Sequence, residues 1–248
     1  VTGGAGFIGS HLVDHLTDLD FEVTVLDNLT PQVHKNVPKD EDGWPIYLNK
    51  GCHRIKGDVL DIDTVRKALK RQDFLVHLAA SVGVGQSMTD ILDYTKNNEV
   101  GAATILQVLL EGNHQIKRVA VASSISIYGD GAYQKPSSGE VVFPPLRPQK
   151  QLEDKRWELE DNDGEILVPV PTPETKPLFP GSIYAVNKLV NEYDFLIIGQ
   201  ALGIPTAAMR MFNVYGTRQA LSNPYTGVAA IFISRLKNTF TRVWLLAV

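Results

Sequence analysis

The chain has 248 residues, 44% hydrophobic and 21% charged, the balance of a folded globular protein rather than a disordered one. A formal net charge of -4, with no lysine or arginine cluster, argues against a nucleic-acid surface, and no apolar run approaches the ~20 residues of a membrane span. The single cysteine, Cys52, excludes an internal disulfide and a cysteine-rich metal site, and suits a reducing, cytoplasmic setting.

The chain opens on the tail of a strand (Val1-Thr2), a glycine turn and a helix from Ser10 to Leu16. Gly3, Gly6 and Gly9 are spaced G-x-x-G-x-x-G. Lacking Cβ atoms, they permit a tight turn and a close approach of backbone N–H groups to a pyrophosphate at the helix N-terminus. Alone, the spacing also fits an ordinary glycine-rich turn. The next strand, Val23 to Asp27, ends in an acid ~20 residues on, where a dinucleotide site places a carboxylate for the ribose hydroxyls, and this favours nucleotide binding.

Residues 28–52 are polar and proline-punctuated and read as a long loop. His53 to Val59 is a strand carrying Gly57-Asp58. Asp63 to Arg71 is a short helix with Thr64, Val65, Ala68 and Leu69 on one face. Phe74 to Ala80 is apolar almost throughout, as a strand covered on both faces should be. Asp93 to Glu111 is a long helix closed by Gly112, and Val119 to Ala122 is a strand running into Ser123-Ser124. This alternation specifies an α/β protein with a Rossmann-type, doubly wound parallel sheet.

Regularity breaks between Asp130 and Pro180, which hold nine of the fourteen prolines and a charged run from Lys150 to Asp163. An inserted subdomain or flap with a short helix near 152–159 is one reading, and a disordered linker is the other. A helix over 183–201, a strand over 205–212 and a helix over 228–237 follow. The expected organisation is a nucleotide-binding domain over 1–202, with 130–180 inserted, and a last strand plus a small, incomplete substrate-binding lobe over 203–248. Two residues before the glycine turn are too few for a strand, and the far end lacks a closing signal, so residues are expected beyond both ends. No signal-peptide pattern opens the chain.

Tyr184 and Lys188 lie four apart on one helix face. An ammonium beside a phenol lowers its pKa from ~10, which would make Tyr184 a base at neutral pH. Tyr-x-x-x-Lys also arises by chance in helices. Ser123-Ser124 gives it context, because ligands of open α/β sheets bind at the carboxyl ends of strands. By contrast, His11-Leu-Val-Asp14-His15 only superficially suggests a metal site, and no metal is expected.

Together these motifs resemble the extended short-chain dehydrogenase/reductase family, in particular its NAD-dependent nucleotide-sugar epimerases and dehydratases. The resemblance runs from Val1 to Lys237 through the glycine turn, Asp27-Asn28, Gly57-Asp58-Val59, His77-Leu-Ala-Ala80, Ser123-Ser124, Tyr184…Lys188 and Arg210-Met-Phe-Asn213-Val-Tyr-Gly216. It implies Tyr184 as catalytic base and acid, Lys188 as its tuner and ribose ligand, and Ser124 as holder of the reacting sugar oxygen. It implies NAD contacts from Gly3, Gly6, Phe7, Ile8 and Gly9, and from Asp27 and Asn28 at the adenosine ribose. Asp58 and Val59 would meet the adenine, with Leu78, Ala79, Ala80, Asn98, Tyr184 and Lys188 completing the cofactor set. Val82, Ser124, Ser126 and Asn213 would contact a nucleotide-sugar substrate, Asn213 at its diphosphate. Asp27 would repel the 2′-phosphate of NADP. Family members commonly pair as homodimers through the helices equivalent to 93–111 and 183–201.

Dehydratases of this family carry an Asp-Glu pair where this chain has Ile125-Ser126, and decarboxylases keep the second acid. Without either, the resemblance implies a 4-epimerase, which oxidises C4 of the sugar and then returns hydride to the opposite face. Residues 93–98 and 213–228 are similar to dTDP-L-rhamnose 4-epimerase-like proteins, with UDP-glucose 4-epimerases the broader match. That closer group carries Cys-Pro-x-Cys-Gly pairs where this chain has cysteine-free stretches at 135–139 and 161–164. Rival readings are a reductase or dehydratase of NDP-sugars and a non-catalytic NAD-binding scaffold.

Overall fold

In the computed structural model, which describes residues 1–220 together with 231–233 and 236, the chain begins inside a sheet. Thr2 bridges Leu26 on one side and His77 on the other, both in parallel. The glycine turn leads into α1 (Phe7–Asp18), followed by β1 (Thr24–Asp27), the single-turn α2 (Pro31–His34) and β2 (His53–Lys56). Next come α3 (Ile62–Leu69), β3 (Phe74–His77), α4 (Val84–Ser87), α5 (Ile91–Tyr94), a π-helical turn (Thr95–Val100) and α6 (Gly101–Leu110). β4 (Arg118–Ser124) ends in a 3-10 turn (Ile125–Tyr128). β5 (Ala132–Gln134), β6 (Val141–Val142), α7 (Gln149–Glu153) and β7 (Val168–Val170) precede α8 (Ile183–Leu202) and β8 (Thr206–Met211).

β1 pairs with β2, β3 with β4, and β4 with β8, every pair parallel. The opening residues join the two halves, since Gly3 donates to the Leu26 carbonyl and Thr2 to that of Val76. Counting them as the first strand, the order is the 3-2-1-4-5-6 of a dinucleotide-binding fold. The order reverses between residues 1–3 and β3, and a crevice opens there at the carboxyl edge.

Two cores sandwich the sheet. One joins Val65 and Leu69 of α3, Ile105 and Leu109 of α6, Val119 and Val121 of β4, and Phe195 of α8. The other joins Val13 of α1 and Val25 of β1 to Trp44, Leu48 and Cys52. Residues 28–52, read from sequence as a long loop, therefore supply core side chains and contain α2. Among the described residues, no helix is long and apolar enough to cross a membrane.

The helix expected over 93–111 runs continuously over 91–110, with a π-helical change of register inside it. α5 and α6 are joined by a π-helical turn, which inserts an extra residue and swings Asn98 into the interior, 0% exposed. The helix from 183 starts where expected because Ser182 caps it, accepting the Ala185 N–H at 3.1 Å, and it stops at Gly203 in the left-handed region, φ 66°. Within residues 130–180, β5 pairs antiparallel with β6 and β7, and the short helix lies at Gln149–Glu153 rather than near 152–159. At the cysteine-free stretches 135–139 and 161–164, Lys135 pairs with Asp161 at 2.9 Å, and the neighbouring Glu165 accepts both the N–H and the hydroxyl of Ser137. Lys176, 2% exposed, ties this region to the sheet by donating to the Tyr128 carbonyl at 2.6 Å. Of the helix expected over 228–237, residues 231–233 and 236 are helical and the rest lies outside the described residues.

Candidate active site

A cleft of about 920 Å³ follows the carboxyl edge of the sheet, at the upper end of the ~300–1,000 Å³ range of ligand sites. At one end sits the glycine turn. Gly3 has φ 68°, and a Cβ there would stand 2.7 Å from the Ala79 nitrogen. A Cβ on Gly9 would collide with the Gly3 carbonyl. Glycine at both positions lets strand end, turn and helix touch. No side chain caps α1, and Phe7, Ile8 and Gly9 of its first turn line the cleft, where the N–H groups of a helix start lack intrahelical partners.

Asp27 ends β1, 8% exposed, with one carboxylate oxygen accepting the Ala5 N–H at 3.0 Å and the other the Leu29 N–H at 2.8 Å. It therefore braces the glycine turn while presenting a buried negative charge to the cleft. Asn28 donates to Asp58 at 2.9 Å, joining the ends of β1 and β2 beside Val59. Leu78, Ala79, Ala80 and Val82 line the cleft after β3.

At the other end stand Ser124, Tyr184 and Lys188, and Asn213 lines the same cleft. Lys188 is buried, donates to the Ala122 carbonyl at 2.9 Å, and stands 5.9 Å from the centre of the Tyr184 ring. Burial pushes its ammonium down to about 8. Burial likewise raises the Tyr184 phenol above its ordinary value, against a hydrogen bond from Ser124 that favours the phenolate. The expectation that Lys188 would lower the phenol is thus not met, because desolvation outweighs the other influences on it. Below the site, His77 is held by the Thr2 hydroxyl at 2.7 Å, and burial, reinforced by the Lys188 charge, drives it down to about 3, so it stays neutral.

Two expected contacts are placed elsewhere. Ser126 does not line the cleft; it sits behind Ser124 and donates its hydroxyl to the Ser124 oxygen at 2.9 Å. Asn98 is fully buried, accepting from the Ser81 N–H at 2.8 Å and donating to the Ser81 carbonyl at 3.1 Å. It shapes the loop after β3 instead of lining the cleft. His11 faces the Phe7 ring and Thr217.

One residue escaped the sequence reading altogether. Ser87, 0% exposed, accepts the Tyr184 N–H at 3.1 Å and donates to the Val84 carbonyl at 2.6 Å. It links the start of α8 to α4, which follows the loop that carries Val82. Nothing in the local pattern around Ser87 signals this, because its partner lies 97 residues away.

The sheet order and the glycine turn at its switch point define a dinucleotide-binding protein. More narrowly, the chain belongs to the NAD dependent epimerase/dehydratase family, whose sequence model matches residues 1–151 and 164–244. It is 34% identical over 238 residues to a dTDP-L-rhamnose 4-epimerase of Burkholderia thailandensis, covering 95% of this chain and 62% of that protein. A solved UDP-N-acetylglucosamine 4-epimerase from Methanobrevibacter ruminantium, in complex with UDP-N-acetylmuramic acid, superposes with a TM-score of 0.69 at 30% identity, covering 96% of this chain and 61% of that one. The UDP-glucose 4-epimerase of Thermus thermophilus in complex with NAD gives a TM-score of 0.69 at 28% identity, covering 96% and 62%. The chain thus spans about three-fifths of the length of these relatives.

NAD is the family's cofactor, and this cleft fits it. The glycine turn leaves room where a Cβ would collide, and the uncapped start of α1 suits a pyrophosphate. The Asp27 carboxylate suits ribose hydroxyls and opposes a 2′-phosphate.

Proposed function

We propose that the protein is an NAD-dependent nucleotide-sugar 4-epimerase, acting on a dTDP-linked deoxysugar or a UDP-hexose. The observation that carries this reading is the convergence of Ser124, Tyr184 and Lys188 on one cleft, with Ile125 and Ser126 supplying no acid beside them. When bound, NAD supplies a hydride acceptor and donor at the sugar C4 and, oxidised, a positive ring that favours the Tyr184 phenolate. Tyr184 takes the proton from the C4 hydroxyl as it becomes a keto group, and returns it after the sugar has turned over. Ser124 holds that oxygen throughout. Ser126, donating to Ser124, leaves the Ser124 proton free to face the phenolate. Lys188 supplies a cation beneath the ring, and Asn213 takes the substrate diphosphate.

In this reading residues 1–202 form the NAD-binding domain, with 130–180 inserted, and 203–248 begin the substrate lobe. A homodimer fits the outer faces of α5, α6 and α8, where Leu92 is 81% and Ile197 61% exposed beside Val100, Val186 and Tyr193. A cytoplasmic setting suits the lone, buried thiol of Cys52.

The deciding experiment incubates the full-length protein separately with dTDP-L-rhamnose and UDP-galactose, without added NAD, and follows the ring protons by NMR. Inversion at C4 in one of them establishes the reaction and names the sugar. No inversion in either, with NAD still bound, overturns these substrates. Steady build-up of NADH would replace the epimerase with a net oxidoreductase.

A further inference from the structure

Beyond β8 the chain turns back across the start of α1. A Cβ on Gly216 would stand 3.1 Å from the Phe7 ring, so the strap lies directly on the first turn of α1. The carbonyl of Thr217 lies 3.2 Å from His11 Nε2. Arg218 then pairs with Asp14 at 2.7 Å and places its guanidinium 5.5 Å from the centre of the Tyr47 ring. Tyr47 in turn donates its hydroxyl to the Ala5 carbonyl at 2.8 Å, inside the glycine turn. The same strap carries Asn213, Val214 and Tyr215 on one side of this anchor and Gln219 on the other, all lining the cleft.

We propose that Arg218 latches the 213–220 strap across the glycine-turn end of the cleft and so sets how slowly bound NAD leaves. Arg218 does not line the cleft; it is a positioning residue that acts through Asp14 and Tyr47. Its planar cation makes an ion pair and a ring contact at once, which lysine cannot reproduce. Tyr47 makes the latch bear on the turn itself, because its hydroxyl holds the backbone that Asp27 braces from the other side. An enzyme that removes and returns one hydride has to keep its cofactor through both half-reactions, so a latch at this end serves that cycle. The inference rests on NAD binding in this cleft and not on the identity of the sugar.

The test loads the purified protein with NADH, chases it with excess NAD, and follows loss of the bound-NADH fluorescence. Arg218→Ala and Asp14→Asn are each expected to raise the off-rate about tenfold with the association rate within twofold of wild type. Arg218→Lys should fall between, and Tyr47→Phe should speed release while keeping the ring contact. An off-rate within twofold of wild type in both Arg218→Ala and Asp14→Asn overturns the latch. If Arg218→Ala fails to fold, Asp14→Asn decides alone, since it breaks the ion pair from the other side without changing side-chain size. Wild-type protein that binds no NADH removes the cofactor reading and the latch together, which separates the two failures.

Discussion

The Ser87 hydroxyl oxygen accepts the backbone N–H of Tyr184 at 3.1 Å, and this bond ties α4 to the first turn of α8. Its proton goes to the Val84 carbonyl, so the hydroxyl is used in both directions. Losing a buried hydrogen bond of this kind costs ~1–3 kcal/mol, part of it as displacement of Tyr184. Ser87→Ala is therefore expected to lower kcat about tenfold, ~1.4 kcal/mol in the barrier, while KM changes little. Steady-state kinetics beside a circular-dichroism melt would check it; an unchanged kcat would detach Ser87 from the chemistry.

Tyr184→Phe removes the proton acceptor without touching the glycine turn. Turnover should fall by at least the ~10²–10⁴ of a positioned acid–base group, with NAD still bound after gel filtration. Ser126→Ala tests the hydroxyl pair behind it. Without the 2.9 Å bond to Ser124, the phenolate loses support, so the acid limb of the kcat profile should move to higher pH. An acid limb that stays in place would show that Ser126 does not act through Ser124.

The pH dependence on the alkaline side follows from Lys188. Burial pushes its ammonium down to about 8, so it is charged below that value and neutral above it. The cation beneath Tyr184 is then lost as pH rises, and kcat/KM should decline through about pH 8. A profile flat to pH 9.5 would contradict this role.

Gly9→Ala places a methyl group on the Gly3 carbonyl and must move α1 away from the turn. Overpacking of this kind costs ~1–3 kcal/mol, and it falls where the pyrophosphate would sit. Weaker NADH binding by at least tenfold, measured by titration, and a lower Tm are expected. Gly85→Ala is the control, because a Cβ there meets nothing within 4 Å.

The proposed dimer is tested at Ile197, which is 61% exposed on α8 beside Tyr193. Ile197→Glu puts a charge in the middle of the apolar stripe and should shift the mass by light scattering from dimer to monomer. A wild-type protein that is monomeric at ~100 μM would end the dimer proposal.

Much of this fold is written locally. The glycine spacing, the acid closing β1, the apolar run of β3 and the serine pair ending β4 each act through neighbours in sequence, so periodicity and turn chemistry sufficed to place them on a doubly wound sheet. Tyr184 and Lys188 share a helix face for the same reason. What the sequence could not supply were contacts between segments remote in the chain. The π-helical turn at Thr95–Val100 turns Asn98 inward, where the Ser81 backbone receives it. Ser126 falls behind Ser124 only because β4 ends in a 3-10 turn. The Ser87 bond to Tyr184 and the Arg218 contacts with Asp14 and Tyr47 join residues that no local pattern relates. Even the acidity of Tyr184 was decided by burial, which belongs to the packed molecule and not to the residues four places apart.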